Sequence, residues 1–362
     1  MLLLLSAVAL AGTCSSYGAF ALRCTLSDSP DLSESSGLAV SRTRDVLYTH
    51  EDSGGAAEIY AFQADGTPRG AHAVNGAFFI DWEDLALGPC PDDSSSDCLY
   101  IADIGDNFRI RGFVVVYAAR EPTGDGQPID VVAKWTVTYP EGAQDAEAIL
   151  VHPWTGAVFL VTKESAADSR VYRLPWVPSG DEPTPMTLVA EVPIPLPEGG
   201  GHMVTGGAYD VDADRVLLRT YSDVLVWDAD PCDPDATWAG EPTLLPTVDE
   251  SQGEAVALDP VTGDVLTTSE GSPMTLSGFG CEGFTQEARE CPEVDTGDTA
   301  DTGGQGVAPE PTAEEGGCGC GGGRAGLLLP GLLAGLGLRR RGREARRGVL
   351  ASTGLAGRRR GA

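Results

Sequence analysis

The feature that most constrains the fold of this chain is a unit that recurs between Leu22 and Cys291. Each copy contains a short apolar strand, a turn and a second short strand, and one or two further β-rich runs follow. Such a unit cannot bury its apolar face alone, so neighbouring copies must stack on one another. Five copies can be aligned, and they begin near Ser36, Trp82, Ala146, Gly206 and Gly253.

The turns between the paired strands have the residues that tight turns need. Residues 152–156 (His-Pro-Trp-Thr-Gly) and 259–263 (Asp-Pro-Val-Thr-Gly) place Pro early and Gly late, and Gly can adopt the positive φ that such turns require. Four short strands per unit is typical of a propeller blade. The sequence therefore predicts an all-β fold, a five-bladed β-propeller over residues 22–291, with six blades as the alternative. An irregular β-sandwich is the competing interpretation.

Cysteines in the predicted propeller indicate disulfides. An even number of Cys in an exported chain favours a disulfide framework over free thiols. Cys90 and Cys98 bracket a polar loop between two apolar runs, so we predict a bridge across a hairpin. The predicted propeller contains six of the nine Cys, namely Cys24, Cys90, Cys98, Cys232, Cys281 and Cys291.

The remaining pairings depend on how the ring closes. If the segment around Cys24 forms the outermost strand of the last blade, Cys24 comes beside residues 265–285, and a Cys24–Cys281 bridge is expected. Cys232 would then pair with Cys291. A Cys281–Cys291 bridge stays equally open.

The charge of the chain excludes nucleic acid as a partner. The formal net charge is −30, and residues 325–362 contain nine Arg against one acidic residue, so the preceding part is more acidic still. Only two lysines occur, Lys134 and Lys163. The chain therefore lacks the basic stripe that binds phosphate backbones, while its negative field keeps it soluble and attracts cations.

Acidic residues recur at the start of the aligned copies. Alignment on Leu38, Leu85, Ile149 and Val256 superposes the residue pairs 81/83, 145/147 and 252/254, with the pair 34/36 in the first copy. Residues two apart on a strand share a face. Because the first strand of a blade is innermost, these side chains are expected to converge on one end of a central channel.

Carboxylates that converge in this way repel one another unless a cation or water lies between them. Oxygen-only ligands suit Ca²⁺ or Mg²⁺. The sequence therefore predicts a calcium site, with Asp81, Glu83, Asp145, Glu147 and Glu254 as its ligands. In the alternative interpretation, these carboxylates bond backbone N–H groups of the neighbouring blade and hold the ring together without a metal.

The ends of the second strands add further polar residues to the same face of the ring. Residues 101–107 could bind a cation or sugar hydroxyls there, but a solvated turn is the favoured interpretation. The expected residues are Glu51, Asp52, Asp103, Asp106, Asn107, Lys163, Glu164, Tyr221 and Glu270.

Hydrolytic motifs are missing from the sequence. It contains no Gly-x-Ser-x-Gly elbow, no His-Glu-x-x-His and no phosphate-binding loop of the Gly-x₄-Gly-Lys-Ser/Thr type. The four His do not cluster in sequence; His152 is expected at the surface, and His50 near the channel mouth. Trp82 is expected to be buried between blades. No catalytic residue is predicted.

The recurring segments 36–39, 81–86 and 145–148 resemble secreted bacterial propellers of the phytase-like esterase and gluconolactonase/regucalcin groups. The latter resemblance implies a divalent metal bound by blade-start Glu residues, for which Glu83, Glu147 and Glu254 are the candidates. Two functions stay open. One is a monomeric surface module that binds a ligand or partner; the alternative is a metal-dependent hydrolase of esters, lactones or phosphate esters.

The N-terminus has the features of a signal peptide over residues 1–21. An apolar run over residues 1–11 precedes Ala19-Phe20-Ala21, whose small residues favour cleavage before Leu22. A rival interpretation makes Cys14 a lipidated N-terminus.

The C-terminus has the order of a sorting tail. Residues 292–317 form an acidic Asp/Thr/Gly spacer with almost nothing to bury, which predicts disorder. Residues 318–362 follow, with Cys318-Gly319-Cys320, an apolar run over 325–338 and an Arg cluster. This order resembles the myxobacterial sorting signal that a myxosortase processes.

That resemblance implies export through the inner membrane, a myxosortase-type protease as a partner, and attachment at the cell surface or outer envelope. The apolar run is shorter than the ~20 residues of a stable span, so a transient membrane anchor is expected. The Arg cluster would stay on the cytoplasmic side.

Overall fold

The computed structural model describes residues 9–26, 32–165, 168–195, 203–212, 214–247, 250, 252–271 and 273–289. These residues form 25 strands and one short 3₁₀ helix, Pro234–Ala239. None of the helical structure there is long and apolar enough to cross a bilayer. The predicted spacer, the sorting tail and Cys291 lie outside the described residues.

The strands group into four-stranded units in chain order. Three short strands come first, β1 (Ala9–Thr13), β2 (Ser16–Tyr17) and β3 (Ala21–Leu26). Unit 1 contains β4 (Ser35–Val40), β5 (Leu47–Glu51), β6 (Glu58–Phe62) and β7 (Pro68–Asn75). Unit 2 contains β8 (Trp82–Pro89), β9 (Asp97–Asp103), β10 (Val114–Arg120) and β11 (Ile129–Thr138).

Units 3 to 5 follow the same pattern. Unit 3 contains β12 (Ala146–Val151), β13 (Val158–Thr162), β14 (Ser169–Arg173) and, after the two-residue β15 (Thr184–Pro185), β16 (Thr187–Val192). Unit 4 contains β17 (Val204–Tyr209), β18 (Arg215–Thr220), β19 (Asp223–Asp228) and β20 (Thr243–Pro246). Unit 5 contains β21 (Gly253–Leu258), β22 (Val265–Ser269) and β23 (Met274–Phe279), and β24 (Cys281–Glu282) and β25 (Thr285–Arg289) complete the strands.

Within each unit the consecutive strands pair antiparallel, and the last strand is less buried than the first. Strands β12 and β21 are buried along their whole length. Strand β7 alternates between exposed and buried residues toward its end. The difference explains the sequence pattern, because a strand covered on both faces is continuously apolar or small, whereas an outer strand alternates.

The hydrophobic core is divided into five clusters, each of which lies between two adjacent units. The clusters join units 1 and 2, 2 and 3, 3 and 4, 4 and 5, and finally 5 and 1, so the interfaces close into a ring. This is the β-propeller arrangement that the sequence predicts. Each cluster contains residues of both units, for example Tyr48 and Leu85, Tyr100 and Leu160, Phe159 and Trp227, Leu217 and Val256, and Leu266 and Leu38.

The N-terminal strand β3 completes unit 5, because it pairs with β23 and Leu26 lies opposite Met274. The expected closure is therefore confirmed, but the expected Cys24–Cys281 bridge is wrong. Cys281 is bonded to Cys14, and Cys24 is a half-buried free thiol.

The reason for this difference is a second N-terminal pairing. Strand β2 pairs with β24 and places Tyr17 opposite Cys281. The chain turn that precedes Tyr17 therefore brings Cys14 to a Cα–Cα distance of 5.5 Å from Cys281. Cys24 instead lies opposite Leu276 in β23.

The Cys90–Cys98 disulfide is present as predicted, with a Cα–Cα distance of 4.9 Å across the β8–β9 hairpin. Cys232 is also disulfide-bonded. Trp82 is fully buried between units 1 and 2, as expected. The surface position expected for His152 is wrong: its side chain is buried, and its Nδ1 accepts a hydrogen bond of 3.2 Å from the Thr155 N–H.

Candidate functional site

Each first strand contains one extra residue near its start. The pairing register between the first and second strands shifts at this residue in all five units. Such a bulge leaves the extra residue out of the ladder and redirects its side chain. The bulged residues are Gly37, Glu83, Glu147, Thr205 and Glu254, so three of the five units place a glutamate at the same position.

Unit 1 differs from the predicted alignment by one residue. The alignment superposed Ser36 on Glu83, but the register shift makes Gly37 the equivalent residue. Gly37 has φ 34°, and a Cβ there would lie 2.5 Å from the Leu85 nitrogen, which only glycine tolerates. The Ser36 hydroxyl instead donates a hydrogen bond to the Glu83 carbonyl oxygen and ties unit 1 to unit 2.

Three carboxylates from two units meet at this end of the ring. Asp52 follows β5, Asp81 precedes β8, and Glu83 is the bulged residue of β8. One oxygen from each lies within 4.8 Å of the others. Hard divalent cations such as Ca²⁺ prefer oxygen ligands, and carboxylates commonly supply part of the set while water and backbone oxygens complete it, so the residues present fit such an ion.

Burial and mutual repulsion hold these carboxyl groups toward their neutral forms. Burial is the largest influence in each case. Together with Asp81 and Glu270 it raises the pKa of Asp52 to about 7. It raises the pKa of Glu83 well above the usual range, and Glu147, Asp52 and Asp81 add to this effect. The pKa of Asp81 is raised as well.

Two further bulged glutamates have strongly raised pKa values. Burial raises the pKa of Glu147 to about 8, although Lys163 opposes this shift. Burial, with Glu147 as the next contribution, raises the pKa of Glu254 to about 8. Both groups therefore exchange protons near neutral pH, as catalytic acids and bases do.

Lys163, at the end of β13, supplies a positive charge inside this set. Its ammonium donates a short hydrogen bond to Glu147 and lies 5.1 Å from the centre of the Tyr221 ring. Burial alone would lower the pKa of Lys163, but Glu147 more than offsets this, so the pKa is raised. The lysine stays charged and partly neutralises the carboxylates around it.

Asp145 takes the backbone role that the alternative interpretation described. Its Oδ1 accepts a hydrogen bond of 2.9 Å from the Asp106 N–H in the neighbouring unit. The predicted ligands are thus divided: Asp81 and Glu83 face Asp52, Glu147 faces Lys163, and Asp145 links two units.

A carboxylate that the sequence analysis did not single out lies in the middle of the channel. Asp84 is fully buried. Its Oδ2 accepts hydrogen bonds from the Ile149 N–H at 2.9 Å and the Gly207 N–H at 3.0 Å, and its Oδ1 accepts one from the Leu85 N–H at 2.8 Å. One side chain therefore joins units 2, 3 and 4.

Residues 101–107 are not a solvated turn. Asp103 is fully buried and forms an ion pair of 2.8 Å with Arg111. Asp106 accepts hydrogen bonds from the backbone N–H groups of Ile110 and Arg111 at 2.9 and 2.7 Å. These acids were expected as solvated groups, but local bonds within the β9–β10 loop engage them.

Beyond Asp84 most of the residues that line the channel are apolar, with Arg42 among them. A cavity of about 50 Å³ lies further along the first strands. Side chains of all five units line it, among them Leu38, Leu85, Val151, Ala208 and Leu258. The end of the channel at which the carboxylates converge is called the mouth below.

No family model and no curated protein matches this chain. Among solved structures, it is similar to the soluble aldose sugar dehydrogenase of Escherichia coli, with a TM-score of 0.42, 10% identity and coverage of 75% of this chain and 100% of that one. It is also similar to a gluconolactonase of Xanthomonas campestris, with a TM-score of 0.39, 13% identity and coverage of 71% and 88%. Likeness at this level concerns the fold alone.

Proposed function

We propose that the chain is a five-bladed propeller that binds one divalent cation, Ca²⁺, at the channel mouth and acts as a metal-dependent hydrolase. Asp52, Asp81 and Glu83 would hold the ion. The observation that carries the proposal is the convergence of these three oxygens within 4.8 Å, beside the buried Glu147–Lys163 pair.

The electrostatics of the mouth support a cation there. Carboxylates with raised pKa values gain most from a nearby positive charge, because the ion offsets both their burial and their mutual repulsion. Lys163 neutralises only part of the set. A purely structural cluster would be satisfied by backbone N–H groups, as Asp84 and Asp145 are.

A bound cation would polarise an ester carbonyl and lower the pKa of a water molecule. The chain itself supplies proton transfer groups. Glu147 and Glu254, with pKa values of about 8, can accept a proton from water or return one to a leaving group near neutral pH. Lys163 orients Glu147 through its hydrogen bond.

The test is hydrolysis by the full chain of three substrates: p-nitrophenyl acetate, γ-butyrolactone and p-nitrophenyl phosphate. We expect turnover of at least one substrate with Ca²⁺, its loss after chelation, and its restoration by added Ca²⁺. Glu83→Gln should lose the Ca²⁺ dependence. Turnover that is unchanged by chelation, or no turnover of any of the three, would contradict the hydrolase.

The binding module remains as a second candidate because of one observation. Large apolar side chains are exposed beside the mouth, with Phe108 at 85% exposure, and such patches mark binding surfaces. Calcium binding without turnover of any ester, lactone or phosphate would favour this candidate.

We also propose export, followed by cleavage at Cys318 and Cys320 and attachment to the cell surface. The support is the order of spacer, Cys pair, apolar run and Arg cluster. Mass spectrometry of the mature chain should show loss of everything after the Cys pair; an intact Arg-rich end would contradict sorting. The same spectrum tests the N-terminus, because cleavage before Leu22 would remove Cys14 and with it the Cys14–Cys281 bridge.

A further inference from the structure

Two loops that adjoin unit 2 expose large apolar side chains. Residues 76–81 connect β7 to β8, and residues 104–113 connect β9 to β10. Their five apolar side chains, called the apolar rim here, have the following exposed fractions: Phe78 71%, Ile80 60%, Phe108 85%, Ile110 79% and Phe113 48%.

The first loop is held in place by the core beneath it. The Trp82 indole N–H donates a hydrogen bond of 2.9 Å to the Phe78 carbonyl oxygen. The Phe78 N–H in turn donates one of 3.3 Å to the Tyr117 hydroxyl. Phe79 packs inward against Trp82, with ring centroids 5.1 Å apart. Phe78 and Ile80 therefore point outward from a braced backbone.

The second loop is braced by ionic groups at its base. Asp106 accepts the N–H groups of Ile110 and Arg111, and Arg111 bonds Asp103 and the Gly105 carbonyl oxygen, each at 2.8 Å. Arg109 reaches across to Glu164 at 2.8 Å. The charged side chains of this loop all bond to groups of the protein, whereas the apolar ones are exposed.

The rim adjoins the carboxylates of the mouth. Ile80 is followed by Asp81, whose carbonyl oxygen accepts hydrogen bonds from Ile104 and Gly105 at 3.1 and 3.3 Å and so joins the two loops. A Cβ on Gly105 would lie 2.0 Å from the Glu83 Oε1. The base of the second loop therefore lies directly against the candidate cation site.

The mouth and the rim select against a charged substrate. A phosphate monoester carries up to two negative charges and would approach a chain of net charge −30 through a cluster of carboxylates. An uncharged ester or lactone meets no such repulsion. Its binding is favoured where its hydrocarbon part covers exposed phenyl and sec-butyl groups.

We infer that the apolar rim binds the hydrocarbon part of an uncharged carboxylic ester or lactone, while the ester group lies at the carboxylate cluster. The inference rests on the proposed hydrolase and narrows its substrate class. Phosphate esters are thereby excluded as substrates, and the preference for acyl chain length is determined by residues outside the mouth.

The test compares p-nitrophenyl acetate with p-nitrophenyl hexanoate in the presence of Ca²⁺. The wild-type kcat/KM should be at least about tenfold higher for hexanoate, since each buried CH₂ contributes to binding. Phe108→Ser with Ile110→Ser should lower the kcat/KM for hexanoate much more than that for acetate. Val261→Ser, an equally exposed apolar residue in unit 5, is the control and should keep the preference. The inference would be overturned if the double variant and Val261→Ser lost the hexanoate preference equally, or if the wild type showed no preference for hexanoate over acetate.

A binding measurement separates this inference from the hydrolase itself. N-phenylbutanamide resembles such an ester but is not cleaved, and we expect calorimetry to show that the wild type and Val261→Ser bind it and that the double variant does not. If this pattern of binding is found without any ester turnover, the proposed hydrolase activity is contradicted and binding by the apolar rim is supported. If esters turn over without chain-length preference and the amide does not bind, binding by the apolar rim is contradicted and the proposed hydrolase activity is supported. A wild-type dimer that the double variant dissolves, with unchanged chain-length preference, would make the rim a contact between copies and overturn the inference.

Discussion

The middle and the mouth of the channel hold neighbouring carboxylates with opposite surroundings. Asp84, in the middle, accepts hydrogen bonds from backbone N–H groups of three units. Glu83, one residue earlier, faces Asp52, Asp81 and Glu147. Both are buried, so burial alone does not distinguish them. The two residues differ in the groups that surround them. N–H donors stabilise the charge of a carboxylate, whereas neighbouring carboxylates repel it unless a cation lies between them.

The pKa values show the same difference. Burial raises the pKa of Asp84, but its three backbone hydrogen bonds oppose the shift. For Glu83 the neighbours add to the effect of burial, and Lys163 alone opposes it among the main influences. Asp84 is therefore expected to stabilise the ring, and Glu83 to reduce stability until an ion is bound.

The largest effect is expected from Asp84→Asn. An amide keeps the shape but has only one acceptor oxygen, so its NH2 group must face either the Ile149 and Gly207 donors or the Leu85 donor, and the charge-assisted bonds are lost. The free energy of unfolding should fall by about 3 kcal/mol, measured by denaturant unfolding with and without Ca²⁺. A loss below about 1 kcal/mol would mean that the middle of the channel does not hold the units together.

Glu83→Gln should not lower the free energy of unfolding of the metal-free protein, in contrast to Asp84→Asn. Replacement of a buried carboxyl group that faces other carboxylates should leave the metal-free protein equally or more stable. In the wild type, Ca²⁺ at a hundredfold excess over its Kd should raise the free energy of unfolding by about 2.7 kcal/mol. The variant should lose this gain.

Asp84→Asn is the matched control for this experiment, because it should retain the Ca²⁺ response despite its lower stability. An undiminished Ca²⁺ response in Glu83→Gln would remove Glu83 from the ligand set.

A smaller effect is expected from pH. The pKa of Glu254 is about 8 in the folded protein and near 4.5 when unfolded, so the folded state binds the extra proton between these values. Its contribution to stability is complete below the unfolded pKa and is lost as pH rises through about 8. The metal-free protein should therefore become less stable between pH 5 and pH 8.

Glu254→Gln should reduce this slope by up to about 1.4 kcal/mol per pH unit. Thermal unfolding across the pH series, with and without Ca²⁺, measures it. A metal-free stability that rises between pH 5 and pH 8 would contradict the buried, protonated state of the mouth.

The fold was predictable because it follows from repetition. Five copies with Pro and Gly in their turns need neighbours to bury their faces, and closure of the last unit by the segment around Cys24 follows from the ring. The Cys14–Cys281 bridge was not predictable from this logic. Two further residues, in the short β2–β24 pairing, decide that Cys14 is the partner of Cys281.

The site was predictable only in part, because period-two reasoning assumes an unbroken strand. It located Glu83, Glu147 and Glu254, and placed Asp52, Lys163 and Glu270 at the same face. The bulge shifts the alternation of side chains by one residue. For this reason the first copy was aligned one residue away from its true position, and Asp84 was not recognised as a channel residue. An Asp within the apolar run of β8 was the available indication, since a buried carboxylate there must have donors around it.

The most direct test of the account is a calorimetric titration of Ca²⁺ into the chelator-treated full chain at pH 7, repeated in buffers of different ionisation enthalpy. We expect one Ca²⁺ per chain and an apparent heat that depends on the buffer, because Asp52, with a pKa of about 7, and Glu147 and Glu254, with pKa values of about 8, release protons as the ion binds. No heat together with an unchanged melting temperature would contradict it.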